Sequence, residues 1–199
     1  MAQAARRGRM PPYRPPQPAP NTMTLAFPDV HGTSPDTDTG TRITVLAPRQ
    51  YQDGAIVAYE DAELLLSSIL PDARIEHVGA SAIPGAYSRG GVDVCVAVPR
   101  GSFDEAQGVL CEAGYLVQRQ DDADDRHAAL VAAHGEVALT LRLIESGSRH
   151  EALMRFRDAL RADATLLARY NALKIASAPQ GADEYGAAKA GFIADVLKA

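Results

Sequence analysis

The chain has 199 residues, of which 46% are hydrophobic and 23% are charged, enough apolar surface for one ordinary globular domain. Its net charge of −5 argues against a general nucleic-acid-binding protein, because neutralising phosphates takes clustered lysine and arginine. Two cysteines, Cys95 and Cys111, cannot build a disulfide framework, and no apolar stretch approaches the ~20 residues of a membrane span. These features predict a cytoplasmic protein that binds neither nucleic acid nor membranes.

The first 41 residues differ in composition from the rest of the chain. Six prolines fall within one short span, and residues 31–41 are mainly glycine, serine, threonine, proline and aspartate. Such a composition cannot bury enough apolar surface to offset the entropy of ordering the chain. We therefore predict a disordered, proline-rich tail over residues 1–41 and a folded domain over residues 42–199.

The folded part is predicted to begin with a helix and two strands. Apolar residues recur at roughly helical spacing over residues 53–70, and Pro71 stands just beyond them. Short apolar runs then predict strands over residues 74–78 and 92–98. The apolar positions of the helix include Ile56, Val57, Leu64, Leu65 and Ile69.

The second of these strands alternates in polarity. Because successive side chains point to opposite faces of a strand, Val92, Val94 and Val96 share one face. Asp93 and Cys95 lie side by side on the other face. A carboxylate inside an apolar strand has to be paired or protonated, which makes Asp93 a candidate functional residue.

A helix and three further strands follow. Ser102 and Glu105 have the spacing of a capping box, and a helix is predicted over residues 103–112, ended by Gly114. Strands are predicted over residues 115–117, 127–132 and 136–144, with an acidic loop over residues 120–125. The last two of these strands suggest a β-hairpin.

The strand over residues 136–144 alternates as well. One face carries four aliphatic side chains, Val137, Leu139, Leu141 and Leu143. The other face carries Ala138, Thr140 and Arg142, and we expect these three side chains to look into a cleft.

From residue 148 onward the pattern is helical. Three amphipathic segments are separated around residues 162–165 and at residues 179–181. Strands first and helices last predict an α+β domain with a helical C-terminal cap.

Several motifs along the folded part carry a family resemblance. The chain reads I-E-H-V-G-A-S-A-I-P-G and then V-D-V, followed by L-R-L-I-E-S-G-S, F-R-D-A-L-R, Y-N-A-L-K and Y-G-A-A-K-A-G-F-I. In this order the motifs resemble the GrpB family, over about residues 43–197. The resemblance implies a nucleotidyltransferase-like fold, in which a small mixed β-sheet packed with helices carries an active cleft at the loop after the first strand of the motif.

The residues that nucleotidyl transfer requires are only partly present. Such enzymes need a glycine and a small hydroxyl residue to approach phosphates, and carboxylates two residues apart to hold divalent metals. Gly79 is present, but Ala80 stands at the serine position, so Ser81 has to supply the hydroxyl. Asp93 fits the first carboxylate, whereas Cys95 takes the second place and is a poor Mg²⁺ ligand. We therefore expect no bound metal and no cofactor.

Other departures from the usual family pattern suggest a remodelled cleft. Ala80, Ala128 and Ala129 stand where the family usually has a serine and an aromatic pair, and we expect these small side chains to open volume for an organic ligand. Arg89 and Arg142 replace the usual Lys-Pro and histidine, and a guanidinium can bind a carboxylate or phosphate through two hydrogen bonds.

Three residues are candidates for the chemistry: Asp93 or His77 as general acid or base, and Arg142 as electrostatic anchor. Two of them have a structural alternative, His77 as a hydrogen-bonded core histidine and Arg142 as the ion-pair partner of Asp93. The candidate substrate-binding residues come from the loop, from the arginines and from the Tyr–Lys pairs of the C-terminal helices: Gly79, Ser81, Arg89, Arg126, Lys174, Tyr185 and Lys189.

We interpret the chain as a diverged GrpB-like protein and a metal-independent enzyme that acts on a small polar or anionic molecule, in specialised biosynthetic metabolism. Its expected partner is a small-molecule substrate. Two alternatives stay open, a non-catalytic accessory protein that binds a nucleotide or metabolite, and a nucleotidyltransferase.

Overall fold

A computed structural model describes residues 43–120, 126–134 and 137–198. The predicted tail over residues 1–41 and most of the predicted acidic loop lie outside these described residues. The helices are α1 (Gln52–Ile69), α2 (Phe103–Glu112), α3 (Ala152–Ala162), α4 (Ala164–Ser177) and α5 (Ala182–Lys198). The strands are β1 (Arg74–Val78), β2 (Val92–Val98), β3 (Leu116–Gln120), β4 (His127–His134) and β5 (Val137–Glu145).

The predicted helices and strands are confirmed, with limits that agree within one residue for α1, β1, β2 and α2. The β3 strand runs further than expected, to Gln120, because its pairing with β4 continues beyond a register shift between Val117 and Arg119. Ser102 precedes α2 as predicted, but its side chain makes no capping hydrogen bond. Its backbone, with φ −97° and ψ 6°, is not in the extended conformation of a capping serine, so the capping-box prediction is wrong.

The strands of the described region form one mixed sheet in the order β1-β2-β5-β4-β3. The central pair, β2 and β5, is parallel, and the other pairs are antiparallel, including the predicted β4–β5 hairpin. A parallel pair needs a long crossover connection, which α2, β3 and β4 supply here.

One face of the sheet packs against α1 and α2. The aliphatic side chains predicted to share a face, among them Val94 of β2 and Leu141 of β5, belong to this core. The α1 side chains that meet it are small, however: Ala55, Ala58, Ala62 and Leu66. The larger apolar residues of α1 are exposed on the outer side, among them Ile56, Val57, Leu64 and Leu65.

The other face of the sheet carries the three C-terminal helices. Met154 of α3 packs on Cys95, Ala97 and Ile144 of the sheet, and aromatic residues of α3, α4 and α5 form a further cluster with residues Ile83 and Ala86. The predicted α+β domain with a helical cap is confirmed. No helix of the described residues is long and apolar enough to cross a membrane.

Candidate functional site

The loop that joins β1 to β2, residues 79–91, passes close over Asp93. Gly79 begins this loop with a φ of 71°, in the left-handed region that favours glycine. A Cβ atom at this position would lie 2.5 Å from Oδ2 of Asp93, closer than side-chain contacts allow. Glycine is therefore required at position 79 both by its backbone conformation and by the approach to Asp93.

Asp93 meets Arg142 on the sheet face below the helical cap. The parallel pairing sets Asp93 opposite Thr140 and Cys95 opposite Arg142, so these side chains look to the same side of the sheet. The Arg142 guanidinium lies 3.5 Å from Oδ1 of Asp93, with 31% of the Asp93 side chain and 15% of the Arg142 side chain exposed. The ion pair considered from the sequence is thus formed, and its carboxylate stays open to solvent.

Two arginines of α3 hold the end of β1 and the beginning of the β1–β2 loop. Arg157 donates hydrogen bonds to the His77 carbonyl at 2.8 Å and to the Glu76 carboxylate at 2.7 Å. Arg161 donates to the Ala82 carbonyl from two nitrogens, at 2.9 and 2.6 Å. Hydrogen bonds from a charged donor are about twice as strong as neutral ones, so α3 fixes the position of the loop above the sheet.

Two polar residues of α4 hold the end of the same loop. Asn171 accepts a hydrogen bond from the Tyr87 amide at 3.0 Å and donates one to the Gly85 carbonyl at 2.9 Å. Lys174 is fully buried and donates to the Tyr87 carbonyl. Lys174, predicted to bind substrate, therefore lies beneath the loop as an anchor. The sequence prediction missed Asn171, although its i, i+3 spacing from Lys174 places both residues on one face of α4.

His77 and Ser81, at the two sides of Gly79, hold each other. His77 Nε2 lies 2.9 Å from Ser81 Oγ, and the imidazole stacks on the Tyr59 ring at 4.5 Å between centroids. Burial, assisted by the charge of Arg161, lowers the pKa of His77 to about 4. His77 is neutral near pH 7, and Ser81 is only 2% exposed. Their contact therefore stabilises the loop and is not open to a substrate.

The two Tyr–Lys pairs of α4 and α5 lie side by side. Lys174 Nζ is 4.2 Å from the centre of the Tyr170 ring, and Lys189 Nζ is 5.3 Å from the centre of the Tyr185 ring. Burial, with a smaller contribution from the charge of Lys189, lowers the pKa of Lys174 to about 7. Burial also lowers the pKa of Lys189. Both amines are therefore costly to keep charged.

Lys189 of α5 lies close enough to the Asp93–Arg142 ion pair for those charges to act on its amine. The lowering of the Lys189 pKa by burial is opposed by the negative charge of Asp93 and reinforced by the positive charges of Arg89 and Arg142. Tyr185 is 4% exposed and is acted on by the charge of Arg89. We call this group, Asp93, Arg89, Arg142, Tyr185 and Lys189, the Asp93 cluster.

Arg126, predicted to bind substrate, lies at the far end of the sheet. It binds Asp104 at 2.7 Å and covers the Phe103 ring at 5.6 Å, and its Nε is 4.0 Å from Glu145. Glu145 pairs with the last residue of β2, about 16 Å along the strand from Asp93. The structure does not bring Arg126 to the Asp93 cluster.

The two alanines expected to open the cleft lie on different faces of β4. Ala129 pairs with Arg142 and looks to the Asp93 side of the sheet. Ala128 pairs with Leu143 and belongs to the apolar core under α1 and α2. The prediction for Ala128 is therefore wrong, because adjacent residues of a strand point to opposite faces.

A shallow depression of about 350 Å³ lies away from the Asp93 cluster, between α1 and β3. Its lining includes Leu65, Tyr115, Leu116 and Leu139, with Asp61 at its edge. Leu139 belongs to the core on the α1 face, so the depression and Asp93 lie on opposite sides of the sheet. We place the candidate site at the Asp93 cluster, since charged groups converge there.

The fold and the site together define an α+β domain with a mixed sheet, a loop held over a strand carboxylate, and a helical cap that supplies cations. A family model described as "GrpB protein" matches residues 49–199. The UPF0157 protein VC_A0354 of Vibrio cholerae is 34% identical over 148 residues, which cover 74% of this chain and 78% of that protein. The chain belongs to the GrpB family.

A solved structure shows the same architecture. The crystal structure of the conserved protein GrpB from Enterococcus faecalis matches with a TM-score of 0.65 at 21% identity, and covers 78% of this chain and 95% of that chain. The Cid1 poly(U) polymerase with Mg and 3′-dATP bound is also similar, with a TM-score of 0.41 at 16% identity over 58% of this chain and 38% of that chain.

The described residues do not fit the Mg²⁺ that a nucleotidyltransferase-like fold implies. Arg142 places a positive charge 3.5 Å from Asp93, where a cation would have to bind. Cys95, in the second ligand position, is fully buried, and burial raises its pKa to about 12, so the thiol stays protonated. Within the described ranges no group of three or more histidine, cysteine, aspartate or glutamate residues is placed to hold a metal ion.

Proposed function

We propose that this member of the GrpB family is a metal-independent enzyme that acts on a small polar or anionic molecule at the Asp93 cluster. The observation that carries the proposal is the Asp93–Arg142 pair, 3.5 Å apart and partly open to solvent. A carboxylate can accept or deliver a proton, and a guanidinium beside it can hold an anionic substrate group through two hydrogen bonds.

Each residue of the site has a distinct part in this proposal. Asp93 is the general acid or base, and Arg142 with Lys189 binds and orients the anionic group. His77 is the second candidate for acid–base chemistry, but its bond to Ser81 and its pKa of about 4 favour a positioning role. Gly79 lets the backbone of the loop approach the Asp93 carboxylate without a collision.

A non-catalytic binding protein is the second candidate function. The fact that favours it is the same ion pair, because a carboxylate and a guanidinium at 3.5 Å can bind a polar molecule without any proton transfer. Nucleotidyl transfer is the less favoured alternative, since the residues around Asp93 do not fit Mg²⁺.

Thermal unfolding with a panel of small anions tests the proposal. The panel contains carboxylates, phosphate esters and nucleoside triphosphates, each at low millimolar concentration with EDTA and again with Mg²⁺. We expect stabilisation by at least one anion in EDTA. Stabilisation by a nucleoside triphosphate only in Mg²⁺ would instead support nucleotidyl transfer, and the absence of any stabilisation would contradict binding at this site.

The variant Asp93→Asn then separates catalysis from binding. With a substrate found in the panel, we expect the variant to lose turnover by about 100-fold or more while still binding, since removal of a general acid or base costs on the order of 10²–10⁴ in rate. The matched control is Asp195→Asn, an exposed carboxylate of α5 that pairs with Lys198 at 3.8 Å. Full turnover by Asp93→Asn would contradict the catalytic role of Asp93, and only a role in binding would remain for this residue.

A further inference from the structure

Exposed apolar side chains are concentrated on one side of the molecule. In the described part of the chain seven large hydrophobic residues are exposed, and six of them belong to α1 and β3. Leu64 of α1 is 76% exposed, and Leu116 of β3 is 64% exposed. Single exposed hydrophobic residues are normal on a protein surface, but a concentration of them marks a surface that meets another molecule.

These side chains adjoin the depression between α1 and β3. Val57, Leu64 and Leu65 are spaced i, i+7 and i+8, which places them on one side of α1. Leu65 and Leu116 also line the depression, whose volume of about 350 Å³ has room for a large apolar side chain. Val57 and Leu64 extend the apolar surface for about 10 Å along the helix. We call Val57, Leu64, Leu65, Leu116 and the depression the α1–β3 surface.

The charge around the α1–β3 surface is negative. Helix α1 contains no lysine or arginine but has four carboxylates, Asp53, Glu60, Asp61 and Glu63. Asp61 lines the depression, and Glu60 is exposed on the turn between Val57 and Leu64. Such a surface repels a nucleic acid or an anionic membrane, whereas it attracts a cationic protein segment.

The same charges disfavour a second copy of this chain as the occupant. A twofold axis through the α1–β3 surface would bring the acidic sides of two α1 helices together. Like charges across an interface oppose association, so a dimer at this surface would gain apolar contacts and lose free energy to repulsion.

We propose that the α1–β3 surface is a docking site for a protein segment that carries apolar side chains next to lysine or arginine. One apolar side chain of the segment enters the depression, others cover Val57 and Leu64, and its cations lie beside Glu60 and Asp61. This surface and Asp93 lie on opposite sides of the sheet, so the inference does not depend on the proposed function.

Titration of the full chain with a defined peptide tests the inference. The probe is an 18-residue peptide of leucine and lysine with leucines at helical spacing, and its counterpart has glutamate in place of every lysine. We expect saturable one-to-one binding of the lysine peptide and at least tenfold weaker binding of the glutamate peptide. Equal binding of the two peptides, or no binding of the lysine peptide, would overturn the inference.

Variants at exposed apolar positions show whether the peptide binds at this surface. Leu64→Ala and Leu116→Ala should each weaken binding by about fivefold or more, because a buried leucine side chain contributes a factor of at least this order. The matched control is Ile175→Ala, at an exposed apolar residue of α4, which should bind as the wild type does. Equal affinities in all three variants would mean that the peptide binds elsewhere.

The charge contribution is tested in the same titration. Glu60→Gln should weaken binding of the lysine peptide by about two- to fivefold at low ionic strength, and the difference should vanish in about 1 M salt. Asp195→Asn, at an exposed carboxylate of α5, is the control. The same loss in Asp195→Asn as in Glu60→Gln would show that net charge, rather than the α1–β3 surface, attracts the peptide.

Three other occupants would each overturn the assignment to a separate cationic partner. A wild-type dimer in sedimentation equilibrium that Leu64→Ala abolishes would identify a second copy. Binding to phosphatidylglycerol vesicles that Leu64→Ala abolishes would identify a membrane surface. Tenfold tighter peptide binding after serine replaces Arg6, Arg7, Arg9 and Arg14 would assign the surface to the N-terminal segment of this chain.

Discussion

The two faces of the central sheet are built from the same strands but are held in different ways. On the α1–α2 face the contacts are apolar, with Val94 and Leu141 fully buried between sheet and helices. On the α3–α5 face the sheet carries Asp93 and Arg142, and α3 and α4 hold the backbone of the β1–β2 loop by hydrogen bonds from charged and amide side chains. Apolar packing has no preferred direction, whereas these hydrogen bonds do. The α1–α2 face is therefore held by apolar packing, whereas the α3–α5 face combines apolar clusters with hydrogen bonds that fix where chemical groups lie.

The largest expected effect tests the apolar face. Leu141→Ala should lower the free energy of unfolding by about 3 to 4 kcal/mol, because Leu141 is fully buried and its loss leaves a cavity. Urea unfolding followed by circular dichroism measures the change. The matched control is Leu64→Ala, at a side chain 76% exposed on α1, which should change stability by less than about 0.5 kcal/mol. Similar losses in both variants would show that this face is not the main source of stability.

The next prediction tests the hydrogen bonds that hold the loop. Arg157→Met should cost about 3 kcal/mol, because it leaves the His77 carbonyl and the Glu76 carboxylate without their charged donor. It should also weaken stabilisation by anions, since the end of β1, from which the loop over Asp93 starts, is no longer held by α3. Arg155→Met, at an exposed position of the same helix, is the control. Unchanged anion binding in Arg157→Met would show that α3 only supports the fold.

A smaller effect is expected where the loop approaches the sheet. Gly79→Ala should cost about 2 kcal/mol, from its left-handed backbone and from the collision with the Asp93 carboxylate. Gly114→Ala separates these causes, because Gly114 has a φ of 96° and a methyl group there would meet nothing within 4 Å, so it should cost only about 1 kcal/mol. Anion binding should be lost in Gly79→Ala alone. A Gly79→Ala variant that binds anions normally would contradict the close contact between loop and carboxylate.

The smallest expected effect is a pH dependence of stability from His77, which pairs with Val94 and stacks on Tyr59 of α1 and therefore lies on the α1–α2 side of the sheet. His77 stays neutral in the folded protein down to about pH 4, whereas in the unfolded chain it takes up a proton below about pH 6.5. The unfolded state therefore binds more protons in this window, and stability should fall as the pH drops from about 6.5 to 4, with no further contribution below that. The expected loss is about 1 to 2 kcal/mol, less than the difference between the two pKa values alone would give, because the imidazole is partly exposed to solvent.

The difference between the wild type and His77→Gln isolates this contribution. Unfolding free energies measured from pH 7.5 to 4 should show a shallower fall in the variant, because glutamine does not titrate. Parallel profiles for the two proteins would mean that His77 is charged in the fold and that its bond to Ser81 is formed differently.

Much of the fold follows from local sequence patterns. The alternation of valine with Asp93 and Cys95 sets the two faces of β2, and the same alternation in β5 places Leu141 and Arg142 on opposite sides. The breaks at residues 162–165 and 179–181 separate the three C-terminal helices. These features depend only on the two-residue period of a strand and the 3.6-residue period of a helix, which a single sequence displays.

The arrangement of the candidate site depended on tertiary structure. The sequence places Asp93 and Arg142 on their strands, but only the parallel pairing of β2 with β5 sets them 3.5 Å apart. The sequence shows that Arg126 is basic. Its place just before β4, however, puts it at the far end of the sheet, beside Asp104. The anchoring parts of Asn171 and Lys174 arise because α4 folds back over a loop more than 80 residues earlier in the chain. The sequence by itself therefore determined which side chains each element offers, and the tertiary structure decided which of them meet, because those contacts join segments far apart in the chain.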